Sequence, residues 1–233
     1  MIPAKYTNIP YIDATKSKIK IYRIKEITYP KDSSMYLITK RTLDILGSIF
    51  GLLLLSPIFL ITAVCIKLDD GGPVIHTQTR VGKNGKFFKF HKFRSMNKIK
   101  EGQTEFNIYK MDGNIPIVKS KDDKRVTKVG KFIRKTCIDE LPQIWDILVG
   151  NMSFVGPRPP AVIEAYYYDH LQMQKLRVKQ GLTGYWQCYG RTDTSYKTRI
   201  NMDIKYINNR GILMDIKIML LTIPNLILSK GSY

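Results

Sequence analysis

The chain has 233 residues, 44% of them apolar, and carries a formal net charge of +19. That length holds one ordinary domain with appendages rather than two, and that apolar share excludes wholesale disorder. A cationic surplus of this size implies an anionic partner: nucleic acid, an anionic membrane surface or a phosphorylated substrate. Cys65, Cys137 and Cys188 are odd in number and lack paired spacing, which argues against a disulfide scaffold and for a reducing compartment.

Residues 1–38 are polar, basic and interrupted by Pro3, Pro10 and Pro30, and read as an accessory extension. Within it Lys18 to Ile27 alternates apolar and charged residues, a pattern open to a short strand or a helical arm.

The dominant apolar feature runs from Leu43 to Ile66. As one straight helix its 24 residues would measure about 36 Å, enough to cross a hydrocarbon core of about 30 Å. Ser56-Pro57 interrupts it, and a proline there removes a helical hydrogen bond and bends the axis. The half ahead of the break would reach only about 21 Å. Nine Lys or Arg against three acids precede the segment, and 29 against 15 follow it. A straight span would carry one of these basic flanks across the membrane, against the positive-inside tendency. A re-entrant helix-break-helix over residues 39–68, entering and leaving one leaflet, is the expectation. A simple span and a buried core helix are the alternatives.

From residue 69 to 233, turn signals alternate with short periodic runs. Val74 to Val81 and Phe87 to Phe93 read as strands of a hairpin turning at Asn84-Gly85. Lys98 to Asp122 is weakly patterned, a loop with some helix. Helices are expected over Val129 to Arg134, Leu141 to Val149, Glu164 to Gln180 (ending at Gly181), Asp193 to Asn208 and Ile212 to Leu228. The last is amphipathic, interrupted by Pro224, and suited to a membrane interface. The class is therefore α+β: a mostly helical domain with a small β-hairpin, anchored as a monotopic membrane protein.

There is no GxxxxGK[ST], GxGxxG, HExxH or GxSxG, and His76, His91 and His170 are not spaced as metal ligands. What can carry chemistry is Asp139-Glu140, set between apolar residues beside Pro142, and a scatter of cations. Adjacent carboxylates can share Mg²⁺, which bridges one or two carboxylates to substrate phosphates, and a carboxylate can attack phosphorus. Phosphoryl transfer otherwise needs positioning and charge neutralisation. The candidates are Lys92 and Arg94 in the run from Lys92 to Met96, Arg134, Arg158 between Pro157 and Pro159, and Arg191 after Gly190. Flanking prolines preset the backbone of Arg158 for a bidentate grip on phosphate.

From about Lys40 to Thr222 the chain resembles the bacterial sugar transferases, monotopic phosphoglycosyl transferases. The resemblance rests on Ser56-Pro57, Gly72-Pro73-Val74 with Gln78, Arg80 and Gly82, KFRSM at 92–96, Val129-Gly130 with Arg134, DELPQ at 139–143, Met152 to Pro159, GLTGYWQ at 181–187 with Gly190-Arg191, Asp203 with Tyr206, and Asp215 with Lys217. It implies that Asp139 attacks the diphosphate of a UDP-sugar, releases UMP and forms a covalent sugar-phosphate ester, to which undecaprenyl phosphate is then joined. Glu140 would serve the metal, Mg²⁺ at Asp139, and the acceptor. Arg134 and Arg191 resemble phosphate-binding positions, Arg158 a nucleotide-site residue, and Ser56-Pro57 the family's helix break. Cys137-Ile138 and Cys188-Tyr189 depart from the usual residues without removing a catalytic group.

The expected partners are UDP-sugar, undecaprenyl phosphate and membrane lipid at the cytoplasmic face of the inner membrane. No nucleic acid is expected, and oligomeric state, homo-oligomer included, stays open. The competing functions are a membrane-tethered nucleic-acid-binding protein and a membrane phosphodiesterase with water as acceptor.

Overall fold

The computed structural model describes residues 32–97, 109–112, 115–118, 125–189 and 194–227. The Lys18 to Ile27 segment, and Arg191 with it, lie outside them.

Two helices open the described chain, α1 (Ser34–Leu54) and α2 (Ser56–Asp70), bent by 59° at Leu55. Pro57 has no N–H to give the Leu53 carbonyl, and the Ser56 hydroxyl donates to that carbonyl instead at 2.8 Å. Neither helix alone is long and apolar enough to cross a membrane, although the bent pair together has the length and composition. Their burial is inverted relative to a core helix. The buried positions are Asp44 and Ser48 in α1 and Thr62 and Ile66 in α2, whereas Leu53 is 71% and Leu60 68% exposed.

The helix pair meets the rest of the chain through polar groups and close backbone approach. Arg41 donates to the Ile147 and Leu148 carbonyls, both at 2.7 Å. Asp44 accepts from Ser153 Oγ and the Phe154 amide, both at 3.0 Å. Lys40 Nζ lies 2.7 Å from Asp215, which also accepts from Tyr36 and Tyr206. A Cβ at Gly47 would stand 2.8 Å from the Phe154 ring.

After Gly71, left-handed at φ 72, comes the hairpin β1 (Ile75–Val81) and β2 (Phe87–Phe93), antiparallel with Val81 opposite Phe87 and His76 opposite Lys92. Its turn is centred on Asn84 and Gly85, both at positive φ, as the Asn-Gly signal requires. Alternation puts Phe93 into a core with Ile66 and Ile133 and turns Lys92 to the opposite face.

The Lys98 to Asp122 stretch holds no helix among its described residues. They form an antiparallel pair, β3 (Tyr109–Asp112) and β4 (Ile115–Val118). Helix α3 (Lys128–Lys135) is capped by Thr127, whose hydroxyl accepts from the Gly130 amide. Gly130 is required there, because a Cβ would fall 2.1 Å from the Ser95 carbonyl oxygen. A 3₁₀ turn, Ile138–Glu140, leads into α4 (Gln143–Leu148).

Strand β5 (Met152–Val155) pairs in parallel with β6 (Gln180–Thr183), a pairing the sequence did not suggest. The helix expected over Glu164 to Gln180 is instead three short pieces: α5 (Val162–Tyr166), α6 (His170–Met173) and a 3₁₀ turn at 174–177. A capping box restarts the chain at Asp169, which accepts from the Gln172 amide while Gln172 accepts from the Asp169 amide. Buried Tyr168 and Leu176 pack on Val81, and buried Lys175 pairs with Asp203 at 3.0 Å. The chain closes through α7 (Tyr185–Tyr189), α8 (Tyr196–Asn209) and α9 (Ile212–Ile227), which runs on through Pro224. The whole is α+β, mostly helical with three two-stranded sheets among the described residues.

Candidate active site

Asp139 and Glu140 sit on the 3₁₀ turn, not on a regular helix. The turn is set by Cys137, a non-glycine residue in the left-handed region at φ 56, which ends α3 and reverses the chain. Asp139 is 8% exposed and Glu140 half-buried.

Burial, and then the Glu140 charge, push the Asp139 carboxyl from its ordinary 3.8 up to about 6, against Lys92, Arg134 and Arg158, which pull it down. Ionising it there costs on the order of 3 kcal/mol more than ionising an exposed aspartate. Lys92 reaches this turn from β2. Burial lowers its affinity for a proton, while the charge of Asp139 raises it. Burial, then Glu140 and Asp139, lift the Cys137 thiol to about 11, which keeps it in the unreactive protonated form near neutrality.

Arg158 follows β5, and its Nη1 donates to Glu140 Oε1 at 2.9 Å. Parallel pairing holds this segment. Gly156 donates to the Thr183 carbonyl and the Gly181 amide to the Pro157 carbonyl, both at 2.9 Å. Gly156 is itself obligatory, since a Cβ would stand 2.4 Å from the Lys179 carbonyl oxygen.

The hairpin is fastened to the Arg158 segment by Arg80. Its Nε and Nη2 donate to Gln78 Oε1 at 3.1 and 2.9 Å, its Nη1 donates to the Pro159 carbonyl at 3.2 Å, and its guanidinium lies 5.4 Å over Phe90. The Val81 amide adds a bond to the Pro160 carbonyl. No site role was expected for Arg80 or Gln78 from the sequence. The available signal was their spacing of two in β1, which puts them on the strand face that Lys92 shares. Beneath β2, buried Asp146 accepts from the His91 amide and His91 Nδ1, so His91 is structural, while His76 and His170 are exposed.

The structure thus brings together Lys92, Arg134, Arg158, Asp139 and Glu140. Arg94 is committed elsewhere: it pairs with Asp70 at the end of α2 and donates to the Pro73 carbonyl at 2.7 Å. Among the described residues no group of three or more His, Cys, Asp or Glu side chains is placed to hold a metal. The hard oxygens of Asp139 and Glu140 fit an ion such as Mg²⁺ that keeps its waters and binds through one or two carboxylates plus substrate phosphates.

A buried carboxylate beside Lys92, Arg134 and Arg158 is a candidate site for anionic phosphate chemistry. Comparison with known proteins agrees. Residues 35–229 match the bacterial sugar transferase family, and the chain belongs to that family. It is 46% identical over 213 residues to the galactosyl transferase CpsE of Streptococcus agalactiae, covering 88% of this chain and 46% of the relative. It is 42% identical over 200 residues to the exopolysaccharide production protein ExoY of Sinorhizobium fredii, covering 84% and 88%. It is 41% identical over 202 residues to the UDP-glucose:undecaprenyl-phosphate glucose-1-phosphate transferase of Escherichia coli, covering 83% and 41%. The chain therefore spans about half the length of CpsE and most of ExoY.

Proposed function

We propose that this chain transfers a sugar 1-phosphate from a UDP-sugar to undecaprenyl phosphate, releasing UMP, as the first membrane step in making an exopolysaccharide or capsule. The observation that carries the reading is Asp139, buried on a turn facing Lys92, Arg134 and Arg158, in a family whose relatives are named for this transfer.

In the first step an Asp139 carboxylate oxygen bonds to the phosphorus that bears the sugar. The bond from that phosphorus to the bridging oxygen breaks, and UMP leaves with the electron pair. The product is an acyl phosphate ester of the sugar on Asp139. In the second step a phosphate oxygen of undecaprenyl phosphate attacks the same phosphorus and the carboxylate departs, leaving the diphosphate-linked sugar and free enzyme. Arg134, Lys92 and Arg158 neutralise the phosphate oxygens through both steps. Arg158 also holds Glu140, which keeps the second carboxylate from competing for the phosphorus. Mg²⁺, held at Asp139 with Glu140 close by, would supply further charge neutralisation.

The bent α1–α2 pair is read as dipping into the cytoplasmic leaflet of the inner membrane, both ends on the cytoplasmic side. Support comes from its inverted burial, since each large apolar side chain left facing water would forgo roughly 1.5–3 kcal/mol. Exposed Leu213, Ile216 and Leu220 on α9 give that helix an apolar face suited to the same interface.

The test is UMP release by the purified chain across a panel of UDP-sugars, with and without undecaprenyl phosphate and with Mg²⁺. One sugar should support release that becomes catalytic only when the lipid is added. Release that is catalytic with water alone would mean a phosphodiesterase, and none with any sugar would end the transferase reading.

A further inference from the structure

Of the four cations on α3 the candidate site uses one, Arg134. The other three gather on the outer face. At about 3.6 residues per turn, Lys128, Lys131, Phe132 and Lys135 share about a third of the helix circumference, while Ile133 turns into the core and Arg134 toward Asp139. All four are exposed, Phe132 to 62%. None of the three lysines pairs with a carboxylate among the described residues. No acid lies between Arg125 and Ile138, and the two acids at the end of α2 are engaged, Asp69 with the Val129 amide and Asp70 with Arg94. A row of lysines alone would be a solvated face. Phe132 sets this one apart, because a ring held out among cations leaves its apolar area in water. It lines an apolar hollow with Ile58, Ile61 and Cys65 of α2, so the face runs on into the exposed surface of the bent pair. Beside α1 a second aromatic is held out in the same way. Trp145, 52% exposed, follows Ile144, whose side chain would stand 3.6 Å from a Cβ at Gly51.

We propose that the outer face of α3 docks on anionic phospholipid: Phe132 enters the interfacial layer beside α2, and Lys128, Lys131 and Lys135 reach head-group phosphates. The inference rests on the reading of the bent pair as lipid-embedded, and adds which surface of the domain lies on the bilayer and which lipid it selects. Continuity and charge choose the occupant. The face adjoins the exposed apolar side of α2, so whatever covers one meets the other. A lysine stem lies along apolar surface while its ammonium stays in the polar layer, which is how an interfacial helix carries both kinds of group on one face. Three ammonium groups held at the surface favour anionic over zwitterionic lipid, because the attraction acts only within a Debye length of the head groups. Single-stranded nucleic acid is the other polyanion such a face could meet. It would satisfy the lysines and leave the apolar side of α2 uncovered.

The test is lysine footprinting of the full chain in lipid nanodiscs, with a neutral acetylating ester and each lysine read separately by mass spectrometry. Replacing pure phosphatidylcholine by a mixture with phosphatidylglycerol should slow acetylation of Lys128, Lys131 and Lys135 about fivefold. High salt should restore most of the rate, since it screens exposed charges. Lys86 at the hairpin turn and Lys197 on α8, exposed lysines on other elements, should change less than about twofold. Phe132→Ser, a change at an exposed position, should at least halve the protection of the three lysines. Equal rates in the two lipids, or equal slowing at Lys86 and Lys197, would overturn the inference. So would single-stranded RNA that protected the three lysines in phosphatidylcholine as well as phosphatidylglycerol does. Labelling is read without turnover, so a chain that released no UMP would refute the transferase reading while leaving the footprint intact.

Discussion

Replacing Asp139 by Asn should make the protein more stable and inactive at once. In the folded chain the Asp139 carboxyl is pushed up to about 6 from an ordinary 3.8. The folded state therefore holds this proton more tightly than the unfolded state. Stability from the protonated carboxyl is complete below the unfolded value and is lost as pH rises through the folded one. At pH 7.5 both states are ionised, and the wild type carries a penalty of about 3 kcal/mol at this residue. Asn is nearly isosteric and neutral, so Asp139→Asn removes the penalty, less whatever its amide hydrogens lack in partners. A gain of roughly 1–3 kcal/mol in a domain of this size corresponds to a rise in Tm on the order of 5 °C. The assay is thermal unfolding at one scan rate in the same detergent, with EDTA to strip any cation that would favour the carboxylate. The gain should be largest at pH 7.5, shrink below pH 6 and vanish near pH 4. Turnover should fall by several orders of magnitude, since an amide is a poor nucleophile, while UDP-sugar binding persists. A Tm at or below that of wild type at pH 7.5, or a gain that ignores pH, would refute a strained ionised Asp139. A sugar-phosphate adduct found on Glu140 would refute its role.

Three further outcomes are expected. Chelation with EDTA should abolish UMP release and Mg²⁺ restore it, with Mn²⁺ as a substitute; full activity after rigorous chelation would count against a metal at Asp139. Cysteines introduced as Pro30→Cys and Lys100→Cys should both react with an impermeant maleimide from the cytoplasmic side only, and opposite-side labelling would replace the re-entrant hairpin by a span. Arg80→Met should remove the bonds to Gln78 and the Pro159 carbonyl, slacken the Arg158 segment and lower kcat about 10- to 100-fold in single-turnover release. Arg80→Lys should fail to rescue, because an ammonium cannot reproduce the planar fork.

Local signals explain what was legible. Asn84-Gly85 fixes a hairpin by its own dihedral needs, and Ser56-Pro57 breaks a helix by removing a donor, so both elements could be read within a few residues. The parallel β5–β6 pair could not, because each strand is four residues long and its partner lies some 28 positions away. The division of Glu164 to Gln180 was announced by the capping box at Asp169 and Gln172, but apolar residues at helical spacing on both sides outweighed it. At the site, the pair of acids and Arg158 stood out by composition. The rigid support from Arg80 did not, because its mark, a place two residues from Gln78 on one strand face, is a spacing that every strand offers. The left-handed Cys137 had no signal at all, since cysteine has no preference for that region.

The inverted helix pair also had its signal in the sequence. Lys40, Asp44 and Ser48 recur every four residues and mark one face of α1 as the run turns apolar after Thr42. That face determines where the turn bearing Asp139 sits. On the proposed reading the pair lies in hydrocarbon, where a helix gains nothing by turning leucines inward, and polar bonds and close backbone packing hold it to its neighbours. Here they do so at two points that bracket Asp139. Arg41 grips the last carbonyls of α4, a helix of six residues and so about 9 Å, whose other end follows Pro142 and the acid pair. Asp69 grips the first turn of α3, whose other end carries Arg134 and leads to Cys137. Asp139 is thus suspended between two short helices, each tied to a different arm of the bent pair. On the proposed reading the depth of that pair in the leaflet sets the height of Asp139 above the lipid head groups, where the acceptor's phosphate must arrive.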